Sequence, residues 1–518
     1  MAKNNSKIRI VVILLIIVFS YHNAYSQHLV EGKIIDANTR EPLAFANIIF
    51  NGNPYFGTTS DIDGKFNFNS AIEIQSVTCS YVGYKDRKIN IGSVKPNYKL
   101  VIELQPSEHN LQEIIVIAGE NPANRILRKT IKNKAINNPE NISSFKYTSY
   151  NKVIYDLKPN ETVDPDSIQI RMDKKLKGGY FLIMESVSER KFIEPDKNEE
   201  TILSVKVSGL KNPSFAPLAT DIQPFSFYKD IITIFDINYL NPISNGSLRK
   251  YLFNIEDTLF QNTDSIFIIS FKPKPNKNFE ALTGLLYINT NKYAIQYVIA
   301  EPFKKGFIDI KIQQKYELID NKQWFPSQLN FELILKQYPS KKIGMRANGK
   351  SYISNIELFS PLDKKDFSLE QIKMHEFASK RDSLFWKKYR IDTLNNRELI
   401  TYHVIDSIGK KHKLDAKLKF IEKVASNKIP IKFIDIDLSK TFVENKHEGF
   451  RLGFGAFSNE KISNYFSVGG FFGYGLKDKK WKYSGELRIL IDKNNELELR
   501  CQHQNTLAEA GQKKLLNY

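Results

Sequence analysis

The 518-residue chain is predicted to be a mainly β, multidomain protein. Its parts are an N-terminal β-sandwich, an α+β region with an antiparallel meander, a helical connector and the start of a transmembrane β-barrel. Three observations predict this. Short alternating apolar runs recur from Leu29 to Leu104 with turn residues between them. The period of two returns in longer runs from Ser265 to Leu335. From Gly449 to His503 four strands carry opposite chemistry on their two faces. Phe466, Val468, Phe472 and Tyr474 share one face, and Ser467, Gly469, Gly473 and Gly475 the other. Tyr483, Leu487, Ile489 and Ile491 likewise alternate with Lys482, Ser484, Glu486 and Arg488, and Leu497, Leu499 and Cys501 with Glu498, Arg500 and Gln502. Apolar on one side and charged on the other suits lipid outside a barrel and a wet lumen inside.

At the N-terminus, Lys3, Lys7 and Arg9 precede an uncharged run from Ile10 to Phe19, then Ala24-Tyr25-Ser26 before Gln27. This order predicts a secretory signal at residues 1–26. A membrane-anchoring helix is the alternative, but the run is too short for the roughly 20 residues a span needs. Gln27 stands where a lipoprotein would carry its acceptor cysteine. The net charge of +18 suggests nucleic acid in a cytosolic protein, and a secretory signal removes that partner. Outer-membrane lipid, lipopolysaccharide, an anionic envelope polymer or another envelope protein are the partners left, beside a basic exterior that is merely solvated. Cys79, in an expected strand, and Cys501, on the lipid face, read as isolated apolar thiols.

The sandwich strands are expected at Val30–Asp36, Ala44–Phe50, Lys65–Asn69, Ile74–Val82, Lys88–Ile91 and Lys99–Leu104. Asp61-Ile-Asp-Gly-Lys-Phe66 has paired aspartates before a glycine, as a cation loop does, but lacks the further spaced acid and the final Glu. Asp63-Gly64 reads instead as a tight hairpin turn. Four stretches carry a family resemblance: Val30 to Asp36, Glu41-Pro-Leu-Ala-Phe-Ala-Asn-Ile48, Gly57 to Phe66, and Ser80-Tyr-Val-Gly-Tyr84. Together they resemble the carboxypeptidase-regulatory-like domain, a prealbumin-like sandwich of about 90 residues. The resemblance implies a non-catalytic module. Leu111 to Gly119 is similar to the linker that precedes the plug of TonB-dependent receptors.

No plug pattern follows. Asn121-Pro122 can cap a helix carrying Ile126, Leu127, Thr130, Ile131, Lys134 and Ala135 at helical spacing, with Arg125, Arg128, Lys129 and Lys132 around them. This basic face is either solvated or a site for an anionic envelope ligand. Strands are expected at Phe145–Leu157 and Tyr180–Ile193. Pro213, Pro217, Pro224 and Pro242 predict long ordered loops between Asn212 and Asn245. In the meander, Lys315 to Pro326 supplies a hairpin, and the set is similar to the half-barrel of periplasmic lipoprotein carriers. An ordinary curved sheet with one packed face has the same pattern.

Between Ser368 and Ala425 the period becomes helical. Ser368 with Gln371 makes a capping-box pattern, and Leu414, Leu418, Ile421 and Ala425 an apolar stripe. The segments Asp382 to Arg390, Thr401 to Gly409 and Lys428 to Pro430 lead into Glu448 to Ser458. With the sandwich in front, this order resembles a family of outer-membrane proteins of unknown function. Members of that family are longer, with a full C-terminal barrel. Four strands leave two unpaired edges in lipid, so the barrel is expected to be incomplete as given.

None of the eight histidines begins an His-Glu-x-x-His zinc motif; His375-Glu376 and His447-Glu448 lack the second histidine. No nucleophile elbow, phosphate loop or dinucleotide glycine motif is present. No catalytic, metal or cofactor-binding residue and no cofactor is assigned, and a non-enzymatic protein is expected. Asp-Ser/Thr-aliphatic tripeptides recur at Asp166, Asp257, Asp264, Asp382, Asp392 and Asp406, as O-glycosylation acceptors or as turn and cap chemistry.

The expected layout is a signal at 1–26, the sandwich at 27–106 and a linker at 107–120. An α+β periplasmic region at 121–365 follows, then a helical connector at 366–440 and barrel strands at 441–518. The expected role is envelope binding, scaffolding or transport at the outer membrane, with the N-terminal domains periplasmic. The alternatives are a component of a TonB-dependent-receptor-like transporter and a hydrolase with an unfamiliar site in residues 121–365.

Overall fold

The computed structural model describes residues 28–91, 98–107, 120–159, 174–261, 263–340, 343–368, 370–492 and 497–507. The expected signal and Leu111–Gly119 lie outside them. The chain divides into two compact units, residues 1–208 with 213–405, and residues 209–212 with 406–518.

The first unit opens with the sandwich: β1 (His28–Asp36), β2 (Asn47–Phe50), β3 (Gly57–Thr59), β4 (Lys65–Ser70), β5 (Ser76–Ser80), β6 (Arg87–Asn90) and β7 (Tyr98–Leu104). Its sheets run β4-β1-β7 and β3-β2-β5-β6. Alternate residues turn inward, so Ile34, Ile48, Phe50, Val77, Cys79 and Ile102 make a sealed core. The turn at Asp63-Gly64 forms, with Gly64 at φ +72° and the Asp61 carboxylate accepting from the backbone N–H of Asp63 and Lys65 at 2.9 and 2.8 Å. It is not a hairpin, which corrects the expectation. β3 pairs with β2 and β4 with β1, so the turn carries the chain from one sheet to the other. Turn chemistry is local, and the partner of each flanking strand is not.

Helix α1 (Pro122–Lys132) and the single turn α2 (Lys134–Asn137) follow. Asn121 caps α1 as expected, its side-chain oxygen accepting from Ala123 N at 2.8 Å. The remaining strands of the unit are β8 (Ser144–Pro159), β9 (Leu182–Ile193), β10 (Lys197–Val207), β11 (Ile231–Ile234), β12 (Ile237–Leu240), β13 (Tyr251–Gln261), β14 (Asp264–Pro273), β15 (Leu282–Asn289), β16 (Ala294–Pro302), β17 (Ile308–Ile319), β18 (Gln323–Ser340), β19 (Ile343–Leu358) and β20 (Ile372–Met374). Eleven of these form one sheet in the order β13-β14-β15-β16-β17-β18-β19-β8-β9-β10-β20. The meander is therefore longer than its sequence pattern, and β8 to β10 extend it from the far side.

One face of this sheet is filled by the chain itself. Ala123, Ile126 and Leu127 of α1, with Phe227, Tyr228, Ile232 and Tyr239 of the proline-rich segment, pack on Phe271, Leu286, Val298, Ile312 and Leu333. The expected long loops thus contain the β11–β12 hairpin, whose Ile232 and Ile234 are buried.

Helices α3 (Ser383–Tyr389), α4 (Asn396–His412) and α5 (Leu414–Ala425) come next. The Ser368–Gln371 pattern caps no helix. Ser368 N donates to the Glu199 carboxylate at 2.7 Å, and Ile372–Met374 becomes β20, parallel to β10. A capping box does form at α4: Glu398 N donates to Asn395 Oδ1 at 3.0 Å, and Asn395 N to Glu398 Oε2 at 2.9 Å.

In the second unit, residues 209–212 lie across the end of α4. Gly209 N donates to Asp406 Oδ1 at 2.7 Å, and the N–H groups of Lys211 and Asn212 to Asp415 Oδ1 at 2.9 Å. The stripe of α5 forms a helix, but none of its residues is buried. The strands are β21 (Lys428–Ile431), β22 (Ile434–Asp437), β23 (Phe442–Asn445), β24 (Gly449–Ser458), β25 (Phe466–Gly475), β26 (Trp481–Asp492) and β27 (Leu497–Asn505). They run β21-β22-β24-β25-β26-β27, with β23 also on β24. All pairs are antiparallel, and among the described residues the sheet is open.

Candidate functional site

In the first unit the sandwich joins the eleven-stranded sheet through its own motif residues. Phe45, fully buried, stacks on Tyr297 at 4.1 Å and meets Tyr287 edge-on at 5.7 Å. Ala44 and Ile62 complete this plug against Ile266, Ile268 and Ile299. Arg346 of β19 forms ion pairs with Glu41 of the sandwich and Glu332 of β18. The Asp61–Gly64 turn faces the same sheet. Its Asp63 pairs with Lys350 Nζ at 2.7 Å and accepts from Tyr352 OH at 3.1 Å. The cation held by this loop is thus a lysine ammonium.

From Lys350 the charges continue inward. Lys152 of β8, 2% exposed, pairs with Asp392 at 2.8 Å and Glu398 at 3.0 Å, and Lys350 reaches Asp392 at 3.7 Å. Glu398 therefore caps α4 and neutralises a buried lysine at once. Burial opposes charge at Lys350, yet Asp63 and then Asp392 hold its ammonium above the ordinary lysine range. Burial raises Asp392 in the same way, and Lys152 and Lys350 outweigh it, leaving the carboxyl below its usual value.

Next to this chain of charges, Glu185 of β9 is sealed from water. Arg390 grips it with both arms at 2.7 and 2.8 Å, and the phenols of Tyr150 and Tyr402 each donate at 2.6 Å. Desolvation raises the Glu185 pKa, but the Arg390 fork and the two phenols more than offset it, so the group stays a carboxylate. Burial and the Glu185 charge push both tyrosines up. Every acceptor direction of the anion is used, and no base is left to take a proton. This arrangement suits holding elements together rather than chemistry.

Two clefts flank the joint and differ in charge. One of about 410 Å³ is lined by Asn47, Tyr84, Asp86, Glu256 and Asp257. The other, of about 720 Å³, is lined by Lys33, Lys65, Lys99 and Lys315 with Glu31 and Asp61.

The second unit presents a different surface. On β24 to β26, Phe450, Leu452, Phe454, Phe466, Val468 and Phe472 are exposed on one face, as are Tyr483, Leu487, Ile489 and Ile491. On the opposite face Glu448, Arg451 and Lys482 are buried. Lys482 pairs with Asp478 at 2.6 Å and Glu448 at 3.7 Å, and Arg451 lies over the Phe471 ring at 5.2 Å. A sheet facing water has the reverse distribution.

The remaining candidates separate. His375, His403, His412, His447 and His503 are exposed and scattered along the chain; His375 Nδ1 accepts from Phe377 N at 3.1 Å. Among the described residues no group of three or more His, Cys, Asp or Glu could hold a metal. Four of the Asp-Ser/Thr-aliphatic aspartates have partners in the fold: Asp382 caps α3 through Phe385 N at 2.9 Å, Asp392 binds Lys152, Asp406 accepts from Gly209 N, and the Asp257 carboxylate accepts from Thr258 N at 2.7 Å. Asp166 lies outside the described residues. Both described cysteines are free, Cys79 buried and Cys501 exposed. Sequence reading missed the Glu185 and Lys152 clusters entirely. Their one signal was charge inside β8 and β9, where apolar neighbours predict burial.

The architecture defines a mainly β, multi-sheet protein with an N-terminal sandwich. Within that class, the chain carries a CarboxypepD_reg-like domain over residues 30–116 and matches DUF5686, a family of unknown function, over residues 126–368. No curated protein matches it. Among solved structures, it is similar to a DUF1329 family protein from Desulfovibrio piger at 10% identity, covering 48% of this chain and 98% of that one, with a TM-score of 0.23. A LolA superfamily protein from Nitrosomonas europaea is similar at 13% identity, covering 48% and 97%, with a TM-score of 0.20.

Proposed function

We propose that this chain is a non-enzymatic outer-membrane protein that binds or scaffolds other envelope components, with residues 28–405 periplasmic and residues 449–505 contributing strands to a barrel. The observation that carries this reading is the polarity of β24 to β26, with aromatic and aliphatic residues exposed and ion pairs gathered on the other face. Lipid satisfies such a sheet, because hydrocarbon accepts the apolar side while closure or pairing satisfies the backbone. The joint supports a binding or mechanical role, since its carboxylates are saturated by lysine, arginine and tyrosine.

The test is fractionation of cells expressing the protein. The expected result is recovery in the outer membrane with heat-modifiable electrophoretic migration. Recovery in the soluble periplasm would overturn the reading.

A further inference from the structure

Three neighbouring connections lie at one end of β13 to β17: residues 247–250, before β13, 274–281, between β14 and β15, and 303–307, between β16 and β17. The register places them together, because Tyr251 pairs with Pro273 and Leu282 with Pro302. Their cations are Arg249, Lys250, Lys274, Lys277, Lys304 and Lys305, against Glu280 within the connections and Glu301 and Asp309 at the strand ends beside them, so cations remain in excess. The third connection is Phe303-Lys-Lys-Gly-Phe307, where both phenylalanines are half exposed, at 50% and 55%. The tip is held in place. Phe303 N donates to Ala281 O at 2.9 Å and Lys336 N to Phe307 O at 3.4 Å, while Lys305 pairs with Glu301 at 3.1 Å.

Exposed aromatic rings flanking lysines on a fixed turn have little reason to face water, and folding has not hidden them although a large apolar core lies a few residues away. Rings of this kind suit the boundary between headgroups and acyl chains, and long basic side chains extend from it to phosphates. We propose that this rim docks on the surface of an anionic phospholipid bilayer, with Phe303 and Phe307 entering the headgroup region and Lys304 and Lys305 pairing with phosphate. The surface belongs to the first unit and does not require the C-terminal sheet to enter lipid.

Gly306 has open space where a side chain would stand, so a reporter fits there. In the full chain carrying Gly306→Cys and Cys501→Ser, an environment-sensitive fluorophore on residue 306 should shift to the blue and brighten with phosphatidylglycerol vesicles. It should respond far less to phosphatidylcholine vesicles and lose the response in high salt. Lys304→Gln with Lys305→Gln should weaken the response about thirtyfold, at about 1 kcal/mol per cation, and Phe303→Ser with Phe307→Ser should abolish the blue shift. Unchanged emission with phosphatidylglycerol, or an equal response to both lipids, overturns the proposal. Heat-modifiable migration reads the C-terminal sheet independently, so the two failures are distinguishable.

Discussion

At the residue scale, Glu185 is the group on which most depends. Replacing it with an apolar side chain leaves Arg390 and two phenols without their buried acceptor, and breaking a buried pair costs about 3–5 kcal/mol. Glu185→Leu is therefore expected to lower stability by that amount in denaturant titration. The pH dependence follows from the sign of its shift. The folded pKa lies below the unfolded value of about 4.5, so this stabilisation is complete above about pH 4.5 and is lost as pH falls through the folded value. Glu185→Gln should flatten that acid limb, and an unchanged limb would assign it to other carboxylates. Cys79 offers a second test, because burial pushes its thiol up to about 12. A membrane-permeant maleimide should label Cys501 alone in the native chain and reach Cys79 only after unfolding. Asp392, Asp382 and Asp406 show what the aspartates of the tripeptide pattern do in the fold. Asp382 caps α3, Asp392 pairs with Lys152 and Asp406 accepts from Gly209 N, and intact-mass spectrometry reads whether the neighbouring hydroxyls carry sugar.

At the element scale, α4 is tied at both ends. Its first turn is capped by Asn395 and Glu398, and its last part is crossed by residues 209–212. A Cβ on Gly409 would stand 2.0 Å from Gly209 O, so Gly409→Ala must push that segment away. The expected outcome is faster proteolytic cutting near residues 209–212 with the far-ultraviolet circular dichroism of the helices retained; unchanged cutting would show that the segment yields freely. For α1, Asn121→Ala should cost about 1 kcal/mol by removing the cap. Helix α1 was legible because Asn-Pro followed by a 3.6-residue stripe is a local signal. The Ser368–Gln371 box was misleading for the same reason: the residues fit a cap, but the parallel edge of β10 offered Ile372–Met374 a better use of their backbone N–H and C=O groups. Propensity yields where a sheet edge is open beside it.

At the scale of the whole molecule, the polarity of β24 to β26 makes the sharpest prediction. A charge placed on the apolar face, such as Leu487→Arg, should cost about 2–4 kcal/mol at a position near the bilayer midplane, and should reduce recovery of the protein in the outer membrane. Charge added on the opposite face at Ser484 should be tolerated. Equal tolerance on both faces would count against a lipid-facing surface. The joint behaves differently. Phe45→Ala, at a site filled by Tyr287 and Tyr297, should cost about 3–5 kcal/mol while the sandwich core around Ile34 and Val77 stays intact.

The sequence by itself determined the periodic features. Alternation fixed the meander and the two-faced C-terminal strands, helical spacing fixed α1 and α5, and motif segments placed the sandwich, because each of these signals is written in residues close along the chain. Tertiary structure alone decided the partners. It set β8 beside β19 although nearly 200 residues of chain separate them, it sent the Asp63-Gly64 turn between sheets rather than around a hairpin, and it joined Asp63, Lys350, Asp392, Lys152 and Glu398 into one line. It also left the α5 stripe exposed and filled one face of the large sheet with α1 and the proline-rich segment. The physical reason is that burial and charge pairing act between surfaces, and the identity of the opposing surface is a property of the folded chain rather than of any window within it.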